Sequence, residues 1–509
     1  MSISSQTATD LGESPTLTSA SRYRDYLFLG LTQSLCPECR AVVPAKIIAR
    51  GKRVYLRKKC PDHGQRDDFI CSDVSRFDLM KSNSPAKLPR RVFSDVVRGC
   101  PLDCGLCAEH EQHTCIGVVE ITDNCNLTCP MCYAASAPGK QHRTFDEICR
   151  AIDRLVEAEG RPEVLQLSGG EPTLHPDLAR AVEYALERPI DYVMINTNGI
   201  RFANDRQLVE RLARHHRRLE IYFQLDDLDD EVLRRLRGQP GLLEIKLRAL
   251  EHLQQTGLNV TLVSTLQGGV NNSAPSKLLE FAKSRDFITG ISLQPATYSG
   301  RCVLPEELEQ RITFPDVIDE ICKSHTSMFA PEDFFPLPCA HPNCHWISLA
   351  ARQGGQFVPL SRYIDVQANL DLLANGISFT RQKSQFIAKQ LTSRLACGTK
   401  GCCVSDESAL TSAMPDSKSL PITEVDHENV AATAAIESLM QRIIEQSAGA
   451  RDILRITITS FLDVYNFDVR RVMKCCTHHV LPSGHIIPFC AYNVLYRDGT
   501  VELPKLETR

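Results

Sequence analysis

The 509-residue chain lacks any apolar run of about 18 residues, the length a helix needs to cross a bilayer, so nothing in it reads as a membrane span. It also lacks a basic, apolar and cleavable N-terminal leader, which leaves secretion without a signal and makes the cytoplasm the expected compartment. Long stretches of one charge are missing too: 58 basic against 62 acidic side chains give a net charge of −4. Phosphate binding normally leaves a cationic footprint, so nucleic acid is not expected as a partner. Contact with the inner face of a membrane stays open. With 43% hydrophobic residues the chain can bury a large core, divided into two to four domains.

What is present in excess is cysteine, 22 residues of it, in a chain without a secretory signal. Reducing compartments disfavour disulfides, and clustered thiols there bind metals. Cys149, Cys302 and Cys322 stand alone, and the other 19 fall into groups, as iron or zinc sites require.

The groups organise the chain. Residues 1–22 are rich in Ser and Thr without apolar periodicity and read as a disordered tail. Residues 23–95 form a small Cys-rich metal-knuckle domain. In it Cys36-Pro-Glu-Cys39 places two thiolates on one tight turn, Cys60-Pro-Asp-His63 supplies a second turn, and either Cys71 or His63 completes a tetrahedron. Residues 96–115 carry Cys100, Cys104, Cys107 and Cys115, four thiols sufficient for a [4Fe-4S] cluster. From 116 to about 300, six short β-branched runs (116–122, 164–168, 192–196, 219–225, 260–264 and 291–294) alternate with helical patterns. That alternation predicts an α/β fold with a parallel sheet, an open or complete (β/α) barrel spanning 116–325. Residues 326–509 form a C-terminal Cys-rich region, interrupted by a polar linker at about 405–429. Its histidines His478, His479 and His485 read as loop residues, ligands or proton donors.

Cys125-Asn-Leu-Thr-Cys129-Pro-Met-Cys132 repeats the spacing of Cys100, Cys104 and Cys107, so spacing cannot decide which triad is catalytic. Context can. The Cys125 triad follows the first barrel strand, at the strand end where α/β barrels place active sites. No fourth cysteine closely follows it, so three thiolates would leave one iron open to a ligand.

Here the chain resembles the radical S-adenosylmethionine (SAM) superfamily. The resemblance implies that Cys125, Cys129 and Cys132 hold a [4Fe-4S] cluster that binds SAM and cleaves it reductively. Gly169-Gly170-Glu171-Pro172 is similar to the superfamily's glycine-rich SAM-binding motif, and Asn196-Thr-Asn198 to a polar strand end that contacts SAM. Gln224, Asp226, Ser264 and Gln294 are further pocket candidates by position. One departure is Met131, where an aromatic residue is common, with Tyr133 just beyond.

The order of groups along nearly the whole chain further resembles the tetraether lipid synthase family, whose members have also been assigned methylation of a pterin precursor. That resemblance implies a mononuclear rubredoxin-like iron, or zinc, on Cys36, Cys39, Cys60 and Cys71. It implies an auxiliary [4Fe-4S] cluster on Cys100, Cys104, Cys107 and Cys115, and a second drawn from eight C-terminal cysteines. Of these, Cys339, Cys344, Cys475 and Cys490 are favoured over Cys397, Cys402, Cys403 and Cys476. The expected activity is carbon–carbon coupling of lipid chains, with reduced ferredoxin or flavodoxin as electron donor. The alternatives are radical methylation or other modification of a pterin-like molecule or peptide, and a non-enzymatic iron-sulfur electron-transfer role.

Overall fold

The computed structural model describes residues 24–79, 87–370 and 438–506, except positions 303, 305, 306, 326, 327, 354, 440, 444, 446 and 447. The expected tail, the polar linker and Cys397, Cys402 and Cys403 lie outside the described residues.

Near the N-terminus, β1 (Leu27–Leu35), β2 (Val42–Arg50), β3 (Arg53–Cys60) and β4 (Gly64–Cys71) form an antiparallel sheet in sequence order. Cys36 and Cys39 lie on the turn after β1, and Cys60 and His63 on the turn joining β3 to β4. The small sheet docks on the C-terminal part of the chain. Lys58, 1% exposed, pairs with the equally buried Asp68 at 3.0 Å and donates to the Val464 carbonyl at 2.7 Å.

The main sheet holds β5 (Ile116–Thr122), β6 (Val164–Gly169), β7 (Tyr192–Thr197), β8 (Leu219–Gln224), β9 (Asn259–Leu266) and β10 (Ile288–Pro295). Neighbours pair in parallel, in the register of a (β/α) barrel. The helix Phe145–Glu159 shows why the intervening segments fold as they do. Thr144 and Glu147 form a capping box at its start, its apolar face (Ile148, Ile152, Leu155) is buried, and Gly160, at φ 73°, ends it.

The C-terminal region is not a separate layer. Its strands are β11 (Phe335–Pro336), β12 (His345–Gln353), β13 (Gln356–Pro359), β14 (Ile453–Thr459), β15 (Thr477–Val480) and β16 (Ile486–Pro488). β14 extends the sheet beyond β10, and β15 extends it beyond β5, both in parallel. The order is β11-β12-β14-β10-β9-β8-β7-β6-β5-β15-β16. His478 and His479, expected on a loop, lie on β15 and are fully buried. Among the described residues no helix is long and apolar enough to cross a membrane.

Arg66 also pairs with Asp68, at 2.7 Å, so removing Lys58 leaves that carboxylate partly compensated. Lys58→Met is therefore expected to cost about 1.5–3 kcal/mol, the worth of a hydrogen bond to a charged group, read as a lower unfolding midpoint by near-UV circular dichroism.

Candidate active site and metal centres

The loop carrying Cys125, Cys129 and Cys132 leaves β5 at Thr122 and returns to the helix at Phe145. It is pinned from within: Asp123 N donates to Gln141 O at 2.9 Å, Cys125 N to Ala137 O at 3.2 Å, and Gly139 N to Asn124 Oδ1 at 2.9 Å. It is also pinned by the end of β6, where Gly170 N donates to Thr122 O at 2.7 Å and Glu171 N to Asn124 O at 2.8 Å. This approach requires glycine. A Cβ on Gly169, at φ 132°, would stand 2.1 Å from Thr122 O, and one on Gly170 would stand 2.2 Å from Asn124 O. A third clamp comes after β10. Gly300, at φ 61°, sits against the Cys132 carbonyl, while Arg301 donates to Cys129 O at 3.1 Å and Ser136 O at 2.7 Å.

Several expected cofactor contacts are instead engaged by the protein. The buried Glu171 carboxylate accepts from Thr173 N (3.0 Å), Thr197 Oγ1 (2.7 Å) and Asn198 N (2.7 Å), so it orders the next strand end rather than reaching outward. Pro172 is buried at the start of the short turn that follows. Asn198 Nδ2 donates to Asn126 Oδ1 in the cysteine loop at 2.7 Å. Asp226 makes a two-pronged pair with Arg237, both contacts 2.6 Å, and Ser264 Oγ donates to the Asp226 carbonyl. Both Asp226 and Ser264 are fully buried, so they serve as scaffold. Asn196, Gln224 and Gln294 remain half-buried. Asn196 Nδ2 donates to Ser168 Oγ and Gln224 Nε2 to Asn196 Oδ1, whereas Gln294 Nε2 donates to Tyr222 Oη. These five residues give the strands a polar layer capable of holding a polar ligand.

Sequence reasoning missed the cations beside the loop. Arg237, which ends the helix Asp230–Arg237, is buried next to Gly238, whose position faces Pro130 of the loop; burial opposes its charge, but Asp226 holds its pKa above the usual arginine value. Lys246 is fully buried and donates to Asn198 O (2.8 Å) and Gln224 O (2.7 Å). Burial, then the Arg237 cation, lowers its pKa to about 8. Two buried cations offset the charge that three thiolates and a cluster bring to a dry site. With three thiols, glycine-only close approach and these cations, the residues fit a [4Fe-4S] cluster. Neither cation carries a local sequence signal.

The other cysteines group differently from expectation. Cys36, Cys39, Cys60 and His63 bring their ligand atoms within 4.8 Å of one another, so His63 takes the place expected for Cys71. The Cys71 thiol is buried against the core and faces the Asp73 carbonyl at 3.5 Å. Cys100, Cys104 and Cys107 line one cleft together with His110. Cys115 is not with them: it joins Cys339 and Cys476 in a second compact set. Cys344, Cys475 and Cys490 line another cleft, where Arg471 Nε donates to Cys344 Sγ at 3.2 Å. Cys339 and Cys475, expected on one cluster, therefore fall in different groups. The cause is the chain path, since Cys475 and Cys476, adjacent in sequence, send their thiols to different sets.

Residues 119–282 match the radical SAM superfamily, and residues 28–72 match the HMPTM N-terminal zinc ribbon domain. The chain is 30% identical over 507 residues to the 7,8-dihydro-6-hydroxymethylpterin dimethyltransferase of Methanocaldococcus jannaschii, covering 92% of this chain and 94% of that protein. The chain belongs to this family of radical SAM enzymes. A GTP 3′,8-cyclase of Chlorobaculum tepidum is 29% identical over 38% of this chain and 59% of its own. Streptococcus suis SuiB, a solved structure, is 16% identical over 42% of this chain and 47% of its own, with a TM-score of 0.35. As a radical SAM enzyme the protein uses SAM and [4Fe-4S] iron-sulfur chemistry, and its ribbon and remaining cysteine sets fit zinc and auxiliary clusters.

Two tests follow from the loop's supports. Gly170→Ala is expected to push the cysteine loop off β6 and lower iron and sulfide per chain, at a cost of about 1–3 kcal/mol in stability. For Lys246, folded pKa lies below the unfolded value of 10.5, so between about pH 8 and 10.5 the unfolded state holds the extra proton. Stability relative to Lys246→Met is expected to rise with pH across that window, by at most about 1.4 kcal/mol per pH unit, read from unfolding midpoints.

Proposed function

We propose that this enzyme cleaves SAM at the Cys125, Cys129 and Cys132 centre and forms a carbon–carbon bond on an organic substrate, with methylation of a pterin-like heterocycle as the leading reaction. The observation that carries this reading is the likeness, across nearly both full lengths, to a protein named as a pterin dimethyltransferase. When bound, the cluster supplies the electron that cleaves SAM to methionine and a 5′-deoxyadenosyl radical. The protein's part is positional. Gly169 and Gly170 let backbone approach, Arg237 and Lys246 balance charge, and Asn196, Gln224 and Gln294 offer polar contacts inside the sheet. Cys100, Cys104 and Cys107, and separately Cys344, Cys475 and Cys490, hold auxiliary clusters that pass electrons. A reduced ferredoxin or flavodoxin supplies those electrons.

A second reading, coupling of lipid chains at a membrane surface, is favoured by one feature. Of the nine exposed large hydrophobic residues among those described, eight lie in two short stretches: Leu27, Phe28, Leu29 and Leu31, then Leu88, Val92, Val96 and Val97.

Anaerobic reaction with methyl-labelled SAM and dithionite separates the readings. Methylation puts label into the pterin product; lipid coupling leaves label only in methionine and appears in lipid extracts as joined chains. With Cys125→Ala, Cys129→Ala and Cys132→Ala combined, deoxyadenosine is expected to fall to background. Clusters that assemble while SAM stays intact with either substrate would overturn the catalytic reading.

A further inference from the structure

We propose that Cys115, Cys339 and Cys476 form a second mononuclear metal site, a zinc or ferrous centre on three thiolates that fastens the two ends of the main sheet together. The Sγ atoms of the three cysteines lie within 4.8 Å of one another, Cys115 and Cys339 being 4.0 Å apart, and all three are at most 1% exposed. Bonds of ~2.3 Å to one tetrahedral ion place thiolates about 3.8 Å apart. In a cubane each thiolate binds a different iron at a corner of a larger cage, so its ligands stand farther apart than this set does. The set thus has the spacing of the zinc ribbon site, where Cys39 and Cys60 are 3.8 Å apart.

His113 stands beside the set and supports one thiolate of it. Its Nε2 is 3.6 Å from Cys115 Sγ, within reach of a hydrogen bond to sulfur. Its Nδ1 is 3.1 Å from Glu159 Oε2, and the other Glu159 oxygen accepts from Thr114 N at 2.9 Å. A carboxylate on one nitrogen of a histidine fixes the ring's tautomer and direction, here aiming the other nitrogen at the Cys115 thiolate, an outer support for a metal ligand. Glu159 ends the helix Phe145–Glu159 and is 4% exposed, so this support is rigid. Gln112 Nε2 adds a donor to Cys115 Sγ at 3.8 Å. Three thiolates forced together in a dry site repel one another, and a divalent cation offsets two of the three charges.

The placement explains what the site would do. Cys115 directly precedes β5, and Cys476 directly precedes β15, with Cys115 N donating to Cys476 O at 2.8 Å. Cys339 lies between β11 and β12, at the opposite end of the strand order. One ion would therefore join β5 and β15 to the β11–β12 end of the sheet, with which neither pairs directly.

The test counts metals and acid-labile sulfide per chain in the anaerobically reconstituted full-length protein. Cys476→Ser is expected to remove one zinc or iron atom and no sulfide. Loss of about four irons with about four sulfides would show a cubane and overturn the proposal, as would unchanged metal content. Because that serine variant could misfold, Glu159→Gln provides a milder test. It is expected to release one metal to a chelator at ~10–100-fold lower chelator concentration with sulfide unchanged. Identical chelator release from wild type and Glu159→Gln would overturn the support that His113 and Glu159 give to the Cys115 thiolate.

Discussion

The parallel pairing of β5 with β6 continues past the ends of both strands, and the rest of the site hangs from that continuation. Thr122 and Asn124 offer carbonyls, and Gly170 and Glu171 offer amides, so the first turn of the cysteine loop is held as an extra step of the sheet. The restraint then closes on itself. Glu171 fixes Thr197 and Asn198 at the end of β7, and Asn198 returns to Asn126 inside the loop. Each of these buried polar groups has its partner within the ring, which is the condition for a polar network to rigidify rather than to weaken a core.

Charge is arranged around the ring with equal economy. Arg237 and Lys246 approach from the helices outside the sheet, and Asp226 holds the arginine through two contacts of 2.6 Å. On the other side, Glu120 of β5 binds Arg497 through two contacts of 2.6 and 3.0 Å, tying the last helical turns to the first strand. Phe489 lies between the two regions, its ring 5.4 Å from Tyr133, which follows Cys132, while its neighbour Cys490 belongs to the C-terminal thiols. The cysteine sets are thus close in the fold though distant in sequence.

The parts written locally were readable. Six β-branched runs foretold β5 to β10, and Gly169-Gly170 foretold a backbone approach, because period-two patterning and glycine carry their meaning within a few residues. The roles given to Glu171, Asp226 and Ser264 were not readable, because a polar residue at a strand end looks the same whether it faces a ligand or a neighbouring loop. Ligand grouping failed for a related reason. Spacing suggested that Cys115 completes the set of Cys100, Cys104 and Cys107, yet the strand that begins at Ile116 carries it away to meet Cys476, 361 residues later. The alternation in Ile453–Thr459 was available as a strand signal, but nothing local said that it would lie beside β10.

That β14 and β15, both within the last sixty residues, cover the two edges of the β5–β10 sheet also sets an order of events during synthesis. While the ribosome is still making the middle of the chain, β5 and β10 are open edges, and such edges invite pairing with other chains. Their proper neighbours, β15 and β14, emerge late, and closing contacts over so long a separation is slow. The edges of β5 and β10 therefore stay uncovered, and the Cys115, Cys339 and Cys476 set incomplete, until these late segments are in place.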